Sequence, residues 1–572
     1  MLGPMRHLRP PTLLPFLPLL VLSSSAPGCA SEPLDAGDAA EGSGQAEQTG
    51  SIKSALERDP GGEGGDNPVF DRCLSETTAT FAASATSIPL WASTTLSWTL
   101  RVPSGCSQVQ SYLGQDRVAK SGTKTVVPQA NSEFSLRIYI PGYGERTVKT
   151  VDVAVVLPPR VDITQNDRVP LFVQALRTPN THILISDHVE LDLTHRKDLF
   201  IASNVTIQGG RRRLNPGPRL FTTTRPAVLF GVGETDANVR ITGVRIEGPD
   251  MGSDTDRHGT RGILINSARN VEIDHCEISG WAGAGIQVRD LANTASSPSP
   301  NAADLPWHEV RIHDNFIHHN QALGGDGYGV TSAHGAHPLI ERNVFDWNRH
   351  AIQGNGEPGT GYTAIYNLVL GGGGRHYQVP VVGTWLHTHQ FDMHGTQNCG
   401  VLDLFSDSLW NCGPAGHTMI IRHNAFFYDE DDAIKLRGTP AVGMFVGENV
   451  FARDAAFWTA TSQTESGLVE EPGNQYLYNG MNHLAQCDFD GDGLTDTFLA
   501  TGESWWYRCG TTGPWEFLAQ SKKKRDEVEI GFFDGDNRCD VRVDGALFPG
   551  GRPPRPWADI PGDVTPIPIF GN

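Results

Sequence analysis

The stretches 238-NVRITGVRIEG-248, 270-NVEIDHCEISG-280 and 309-EVRIHDNFIHHN-320 are variants of one phrase. Each gives a short run of alternating apolar residues, a turn, and a second short run. The phrase recurs at 204-NVTIQGG-210, 338-PLIERNVFDWN-348, 363-TAIYNLVLGG-372, 419-MIIRHNAFFYD-429 and 444-MFVGENVFARD-454, mostly at intervals of about 24 to 40 residues. Strands this short bury no core alone, so a repeat of this length specifies stacked coils rather than a sandwich. No helical periodicity lies between the strands. The sequence therefore predicts an all-β chain whose central part, residues 158–484, is a right-handed parallel β-helix solenoid.

Each coil has a third run beyond its turn: 261-RGILIN-266, 284-AGIQVR-289, 328-YGVTSA-333, 350-HAIQGN-355, 389-HQFDMHG-395, 433-AIKLRG-438 and 455-AAFWTA-460. We align Ile263, Ile286, Val330, Ile352, Phe391, Ile434 and Phe457 as inward residues, with Ile265, Val288, Met393 and Leu436 as the next inward set. Alternation then puts Gln353, then Gln390, Asp392 and His394, then Lys435 and Arg437 on the outer face of three successive coils. Stacked coils lie about 4.8 Å apart. Asp392 is thus expected between Gln353 and Lys435, with His394 beside Arg437. Arg349 and His350 enter from the turn above, Asp431 and Asp432 from the turn below.

The repeats resemble the pectate-lyase-like superfamily of β-helices, whose lyases use Lys or Arg on the outer face of one sheet. The resemblance implies a polysaccharide partner. A lyase needs a base for the proton next to a uronate carboxylate and a cation for the charge that develops. Asp392, His394, Lys435, Arg437, Arg349 and Gln353 form the expected catalytic set. Lys435 is the candidate base, Arg437 or Arg349 neutralises the substrate carboxylate, and His394 donates the proton. A glycoside hydrolase would instead need two flanking carboxylates, Asp392 with Asp431 or Asp432. The run 431-DDAIKLRG-438 resembles the Asp-Asp and Arg-Ile-Lys motifs of polygalacturonases. Here they are fused in one strand and 332-SAHGAH-337 precedes them, so that family's roles are not carried over. The third reading is a non-catalytic adhesin or glycan-binding protein. An enzyme should have loops such as 292–307 and 371–389 walling the face, and the long insertion 371-GGGGRHYQVPVVGTWLHTH-389 favours it.

A metal on this face is the lesser expectation. His387, His389, Asp392 and His394 offer enough ligands, but strand parity sends His387 and His389 the other way. Asp392 and His394 would bind, with His350 as a third. His318 and His319 are expected as surface polar groups at a turn, and His334 near the end of the face.

Outward from the solenoid the chain changes character. Arg6 and Arg9 precede the apolar run 13-LLPFLPLLVL-22, too short to span a bilayer. The following 26-APGC-29 resembles a bacterial lipoprotein processing site, which makes Cys29 the lipidation position. Residues 1–29 read as a signal peptide and the protein as exported: an outer-membrane or cell-surface lipoprotein, otherwise secreted. Residues 30–66 have the composition of a disordered acidic linker. Residues 67–157, with runs such as 94-TTLSWTLRV-102 and 133-EFSLRIYI-140, predict a small β-sandwich with Trp98 in its core. It resembles the immunoglobulin-like modules of secreted bacterial proteins.

Outside the cytosol, the eight cysteines after Cys29 favour disulfides. Cys73 with Cys106, Cys399 with Cys412, and two of Cys487, Cys509 and Cys539 are the expected pairs, leaving Cys276 as a free buried thiol. None has zinc-thiolate spacing. In the tail, 485–572, the run 488-DFDGDGLTD-496 sets Asp488, Asp490, Asp492, Asp496 and the Leu494 carbonyl around a hard cation. It resembles the calcium loops of FG-GAP repeats, which implies bound Ca2+. A second loop, 532-FFDGDNRCD-540, has Phe532 in the first ligand position. Two such repeats are too few to close a propeller, so the tail is expected to cap the open end of the β-helix. Trp505, Trp506 and Trp515 are either sugar platforms or a small core. A net charge of −20 without a basic stripe argues against nucleic acid. Membrane contact is expected only through the lipid anchor, and the chain is read as a monomer.

Overall fold

The computed structural model describes residues 68–548 apart from 90–92, 115, 129–130, 142, 212–214, 253–258, 292–308, 323–325, 379–384, 400–410, 454–455, 477–482, 490, 492, 511–512 and 514. The expected signal segment with its lipidation position Cys29, the expected acidic linker and the 292–307 stretch lie outside the described residues.

From Arg160 to Tyr476 the chain winds as a right-handed parallel β-helix. Coils feed three sheets of eleven, ten and nine strands, and the strands pair in parallel with those of the neighbouring coils. Identical or similar apolar residues stack inside. Val239, Val271 and Val310 form one column, and Ile246, Ile278, Ile317 and Phe345 a second. Ile263, Ile286, Val330, Ile352, Phe391 and Ile434 form the third, in the expected register. Burying each such side chain stabilises by about 1.5–3 kcal/mol relative to exposure.

The turn between the eleven- and ten-stranded sheets is held by asparagine. Asn315, Asn343, Asn367, Asn424 and Asn449 are 0–2% exposed. Each follows a residue in the left-handed region: Asp314, Arg342, Tyr366, His423 and Glu448 have φ between 53° and 57°. Asn343 Oδ1 accepts both the backbone N–H of Asn315 (3.1 Å) and its Nδ2 (2.9 Å). The series continues through Asn367, Asn424 and Asn449 to Asn474. The spare Nδ2 hydrogen reaches an interior carbonyl, as from Asn343 to Ile312 at 2.8 Å. Cys276 occupies the ladder position one coil earlier. Its N–H donates to Asn315 Oδ1 at 2.9 Å and its thiol to the Asp274 carbonyl at 3.2 Å. It is the buried free thiol the sequence anticipates, and burial pushes it up to about 12.

Two details at the ends differ from expectation. A helix at Val169–Leu176 plugs the first coil, driving Phe172, Ala175 and Leu176 into the core. At the other end Phe457 does not continue the inward column. Phe457–Ala460 is a helical turn, and Thr461 takes the place beside Ile434.

The N-terminal module has an antiparallel three-stranded sheet and a five-stranded sheet around Phe81, Leu96, Trp98, Leu136 and Ile138. Disulfides join Cys73 to Cys106, Cys399 to Cys412 and Cys487 to Cys539. The described part of the tail lies on the flank of the solenoid. Its Leu499 and Trp506 pack against Val344, Leu368, Ala425 and Val450, the outward residues that directly follow the ladder asparagines. Those four are apolar and stacked, so the flank of the ten-stranded sheet requires a cover. Trp505 and Trp506 are fully buried and serve as core aromatics, not sugar platforms.

Asn367→Ala removes the acceptor of the Asn343 N–H and of one of its two Nδ2 hydrogens. The expected loss is about 1–3 kcal/mol per unsatisfied group, read as a lower urea midpoint; an unchanged midpoint would exclude the ladder as a source of stability.

Candidate functional site

The nine-stranded sheet consists of β1 (Leu199–Ile201), β2 (Phe230–Val232), β3 (Arg261–Asn266), β4 (Ala284–Arg289), β5 (Tyr328–Ala333), β6 (His350–Gly354), β7 (Phe391–Met393), β8 (Ile434–Leu436) and β9 (Thr461–Gln463). In β7, Phe391 and Met393 join the core, which turns Asp392 outward. Asp392 pairs in register with Gln353 on β6 and Lys435 on β8, and Thr331 on β5 continues the column.

The Asp392 carboxylate is the hub of the face. Arg437 donates Nε to Oδ1 at 3.1 Å and Nη2 to Oδ2 at 2.5 Å, a bidentate pair. His389 Nε2 lies 3.0 Å from Oδ1, and His394 Nε2 lies 2.7 Å from Oδ2. His350 Nε2 lies 3.8 Å from Oδ2. Asp392, His350, His389 and Arg437 are 0–1% exposed. The other face of His350 is fixed. Its Nδ1 is 2.5 Å from the His389 carbonyl and 3.1 Å from Thr388 Oγ1. Its ring stacks between Tyr328 and His389, at 5.6 and 4.3 Å. Arg349 donates to the Tyr328 hydroxyl at 3.2 Å, and Gln353 donates to the Gly354 carbonyl at 2.7 Å.

Burial by itself would raise the Asp392 carboxyl, but the Arg437 guanidinium overrides it and holds the group well below the usual carboxylate range. Burial lowers His350, His389 and His394 below ordinary imidazole values. The Arg349 charge adds to this at His350, and the Arg437 charge at His394. The hub is thus an ionised carboxylate, a guanidinium and neutral imidazoles.

Five of the six expected catalytic residues, Asp392, His394, Arg437, Arg349 and Gln353, gather here with little or no exposure. Arg437 is committed to Asp392 rather than open to a substrate carboxylate. Lys435 is half-buried and makes no ion pair with another described residue. Asp431 and Asp432 are half-buried; Asp431 accepts from the Asp432 N–H at 2.8 Å, and Asp432 accepts from Ser462. The parity argument against His389 fails. Within the 371–389 insertion Arg375–Gln378 pairs antiparallel with Trp385–His387, and His389 follows that pair rather than lying in a strand of the sheet. The segment is tied down by the Tyr428 hydroxyl, which donates to the Thr388 carbonyl at 2.7 Å. His318 is not a surface group either. It is 7% exposed and stacks on Phe316 at 4.0 Å. His334 pairs with Glu357.

In the tail, Asp488 accepts from the N–H groups of Gly491 (2.7 Å) and Gly493 (2.9 Å), and Asp496 from those of Phe489 (2.8 Å) and Gly510 (2.9 Å). Asp490 and Asp492 lie outside the described residues. In the second loop, Asp534, Asp536 and Asp540 have carboxylate oxygens within 4.8 Å of one another despite Phe532.

The family described as right handed beta helix region matches residues 224–367. No curated protein matches the chain. Among solved structures it is similar to an alginate lyase from Paenibacillus sp., at 13% identity over 56% of this chain and 98% of that one, with a TM-score of 0.34. A Family 28 exopolygalacturonase from Yersinia enterocolitica shows 8% identity, 70% and 98% coverage and a TM-score of 0.26. A DFA-IIIase from Arthrobacter chlorophenolicus shows 14% identity, 56% and 94% coverage and a TM-score of 0.29. Likeness at this level carries no argument about what this chain acts on.

A second ionisable group, Glu272, Asp274 and His313, lies on the eleven-stranded sheet and is internally satisfied. Arg240 donates to both Asp274 oxygens at 2.8 and 2.9 Å, while His313 bonds Asp314 at 2.6 Å and Glu272 at 2.8 Å. Burial would lower His313, yet its bonds to Asp314 and Glu272 push it up to about 9. A folded value above the unfolded one stabilises fully below pH ~6.5 and is lost as pH rises through about 9. The melting temperature should therefore fall between neutral pH and pH ~9.5 by the equivalent of about 3 kcal/mol at most. His313→Gln should flatten that decline.

Proposed function

We propose that this chain is an exported polysaccharide-active β-helix enzyme: a lyase that cleaves an acidic glycan by proton abstraction and elimination, with Lys435 as the base. The observation that carries this reading is the gradient of exposure along one column. Gln353 and Asp392 are 3% and 0% exposed, whereas Lys435, next in register, is half-buried and unpaired among the described residues. It is the member of the column whose reactive atom can meet a polymer lying across the coils. The Asp392–Arg437 pair beneath it keeps the strand face rigid. The insertion supports the reading in one respect: its end at Thr388 and His389 lies against the column, at His350 and Asp392.

The glycosidase alternative is less supported. Asp392 is ionised, buried and clamped by Arg437, so it has neither a proton to give nor a free path to an anomeric carbon. The disulfides Cys73–Cys106, Cys399–Cys412 and Cys487–Cys539 support an oxidising compartment, in keeping with export and with a lipid anchor at Cys29. The glycine-rich loops from Asp488 and Asp534 suit calcium held for stability rather than for chemistry.

Lys435→Ala should lower kcat on the cleaved polymer by about 10²–10⁴-fold, the usual worth of a general base, with the melting temperature unchanged. The readout is ultraviolet absorbance of the unsaturated product over a panel of acidic and neutral glycans. Reducing ends without that absorbance would establish a glycosidase, and binding without cleavage an adhesin. Separately, calcium should raise the melting temperature, chelation should reverse the rise, and Asp488→Asn should diminish it.

A further inference from the structure

We infer that His350, His389 and Asp392 form a transition-metal site on the outer face of the β-helix. The spacing fits an ion. The ligand atoms of His350, His389 and Asp392 all lie within 4.8 Å of one another. In a four-coordinate site with bonds near 2.1 Å, ligand atoms sit about 3.4 Å apart. The imidazole-to-carboxylate distances of His389 and His350, 3.0 and 3.8 Å, bracket that value.

The second observation is polar atoms buried without a partner. Nε2 of His350, of His389 and of His394 are each buried without a well-aligned hydrogen bond, although each lies close to the Asp392 carboxylate. A buried polar atom left unsatisfied costs about 1–3 kcal/mol, and three around one carboxylate are not a stable arrangement for protons alone. None of the three Nε2 atoms meets a carboxylate oxygen in hydrogen-bond alignment. An ion bound by the His350 and His389 lone pairs and the carboxylate would satisfy those two nitrogens together.

The His350 tautomer agrees. Its Nδ1 faces the His389 carbonyl at 2.5 Å, an acceptor, so Nδ1 carries the proton and Nε2 the lone pair. Metal-ligating histidines commonly donate their other ring N–H to a backbone carbonyl in this way. The Arg437 pair does not close the site. A carboxylate has about four lone-pair positions, a bidentate arginine uses two, and a ligating carboxylate is itself usually hydrogen-bonded. The Asp392–Arg437 pair is neutral, so the ion is held chiefly by imidazole nitrogen. Imidazoles with one carboxylate suit zinc, iron(II), cobalt, nickel or copper rather than calcium or magnesium. The Glu272, Asp274 and His313 group lacks this signature, because none of its side-chain atoms is left orphaned.

The inference does not depend on Lys435 being a base, and its readout is metal content rather than activity. The untagged full-length chain would be analysed by elemental mass spectrometry as purified, and again after equilibration with zinc or cobalt(II). About one transition-metal ion per chain is expected, and the cobalt form should show visible absorption bands of a nitrogen–oxygen ligand set. His350→Ala combined with His389→Ala should lower the affinity at least tenfold, checked for folding by circular dichroism. Lys435→Ala should keep the ion. A wild-type chain that takes up neither metal would overturn the assignment without recourse to any variant. So would a folded double variant that binds as tightly as wild type.

Discussion

A buried asparagine amide, accepting from the coil before it and donating to the coil after it, is the interaction on which the rest of this molecule depends. Every coil must turn a corner inside a stack, and each corner presents backbone N–H groups that water does not reach. The ladder from Asn315 to Asn474 gives each such N–H an acceptor from the next coil. Because the same oxygen also takes the Nδ2 of the preceding asparagine, one coil cannot slide relative to the next without breaking two bonds at once. The left-handed residue before each asparagine costs some strain. That strain is tolerated because the bonds on both sides of it are fixed by neighbours.

Coil registration in turn fixes the candidate site. Asp392 meets Arg437 only because β7 and β8 are aligned residue for residue, Phe391 on Ile434 and Met393 on Leu436. Placing an ionised carboxylate at zero exposure is unfavourable unless a partner is equally well placed. Here the bidentate guanidinium is, and it comes from a residue one position beyond the paired strand. The hub is thus a product of stacking: the interior columns set which residues face outward, and those residues then neutralise one another.

Much of this was legible in the sequence because it follows from period two within a strand. The inward column and the Gln353–Asp392–Lys435 register came from alternation alone, and both hold in the structure. Alternation fails wherever the residue is outside a strand. His389 follows the antiparallel pair of the insertion, and nothing local in 384-TWLHTHQFDMHG-395 says that the chain returns it to the Asp392 side. Phe457 fails for a related reason: a helical turn interrupts the pattern just where the solenoid ends. The Cys276 thiol was read as buried, but its position as the first rung of a ladder of asparagines appears only when the coils are superposed. Commitment of Arg437 to Asp392 was not readable either. Charge pairing between neighbouring residues of stacked strands depends on side-chain reach, which spacing does not encode.

The tail shows how the same stacking dictates partnership between modules. Right after each ladder asparagine comes an outward apolar residue, Val344, Leu368, Ala425 and Val450, so repetition builds an apolar strip along the ten-stranded sheet. Trp506 and Leu499 cover it, and polar contacts at its edge lock the docking: His423 approaches Glu448 at 3.1 Å and Glu503 at 2.9 Å, and Lys522 reaches Glu448 at 2.6 Å. The strip belongs to a different sheet from the one that carries Asp392 and Lys435. Covering it therefore stabilises the solenoid through its flank, on a sheet other than the one that carries the candidate site. A module that capped the open end would protect a single coil; one laid along the flank ties several coils together, which keeps a face spread over β6, β7 and β8 in one geometry.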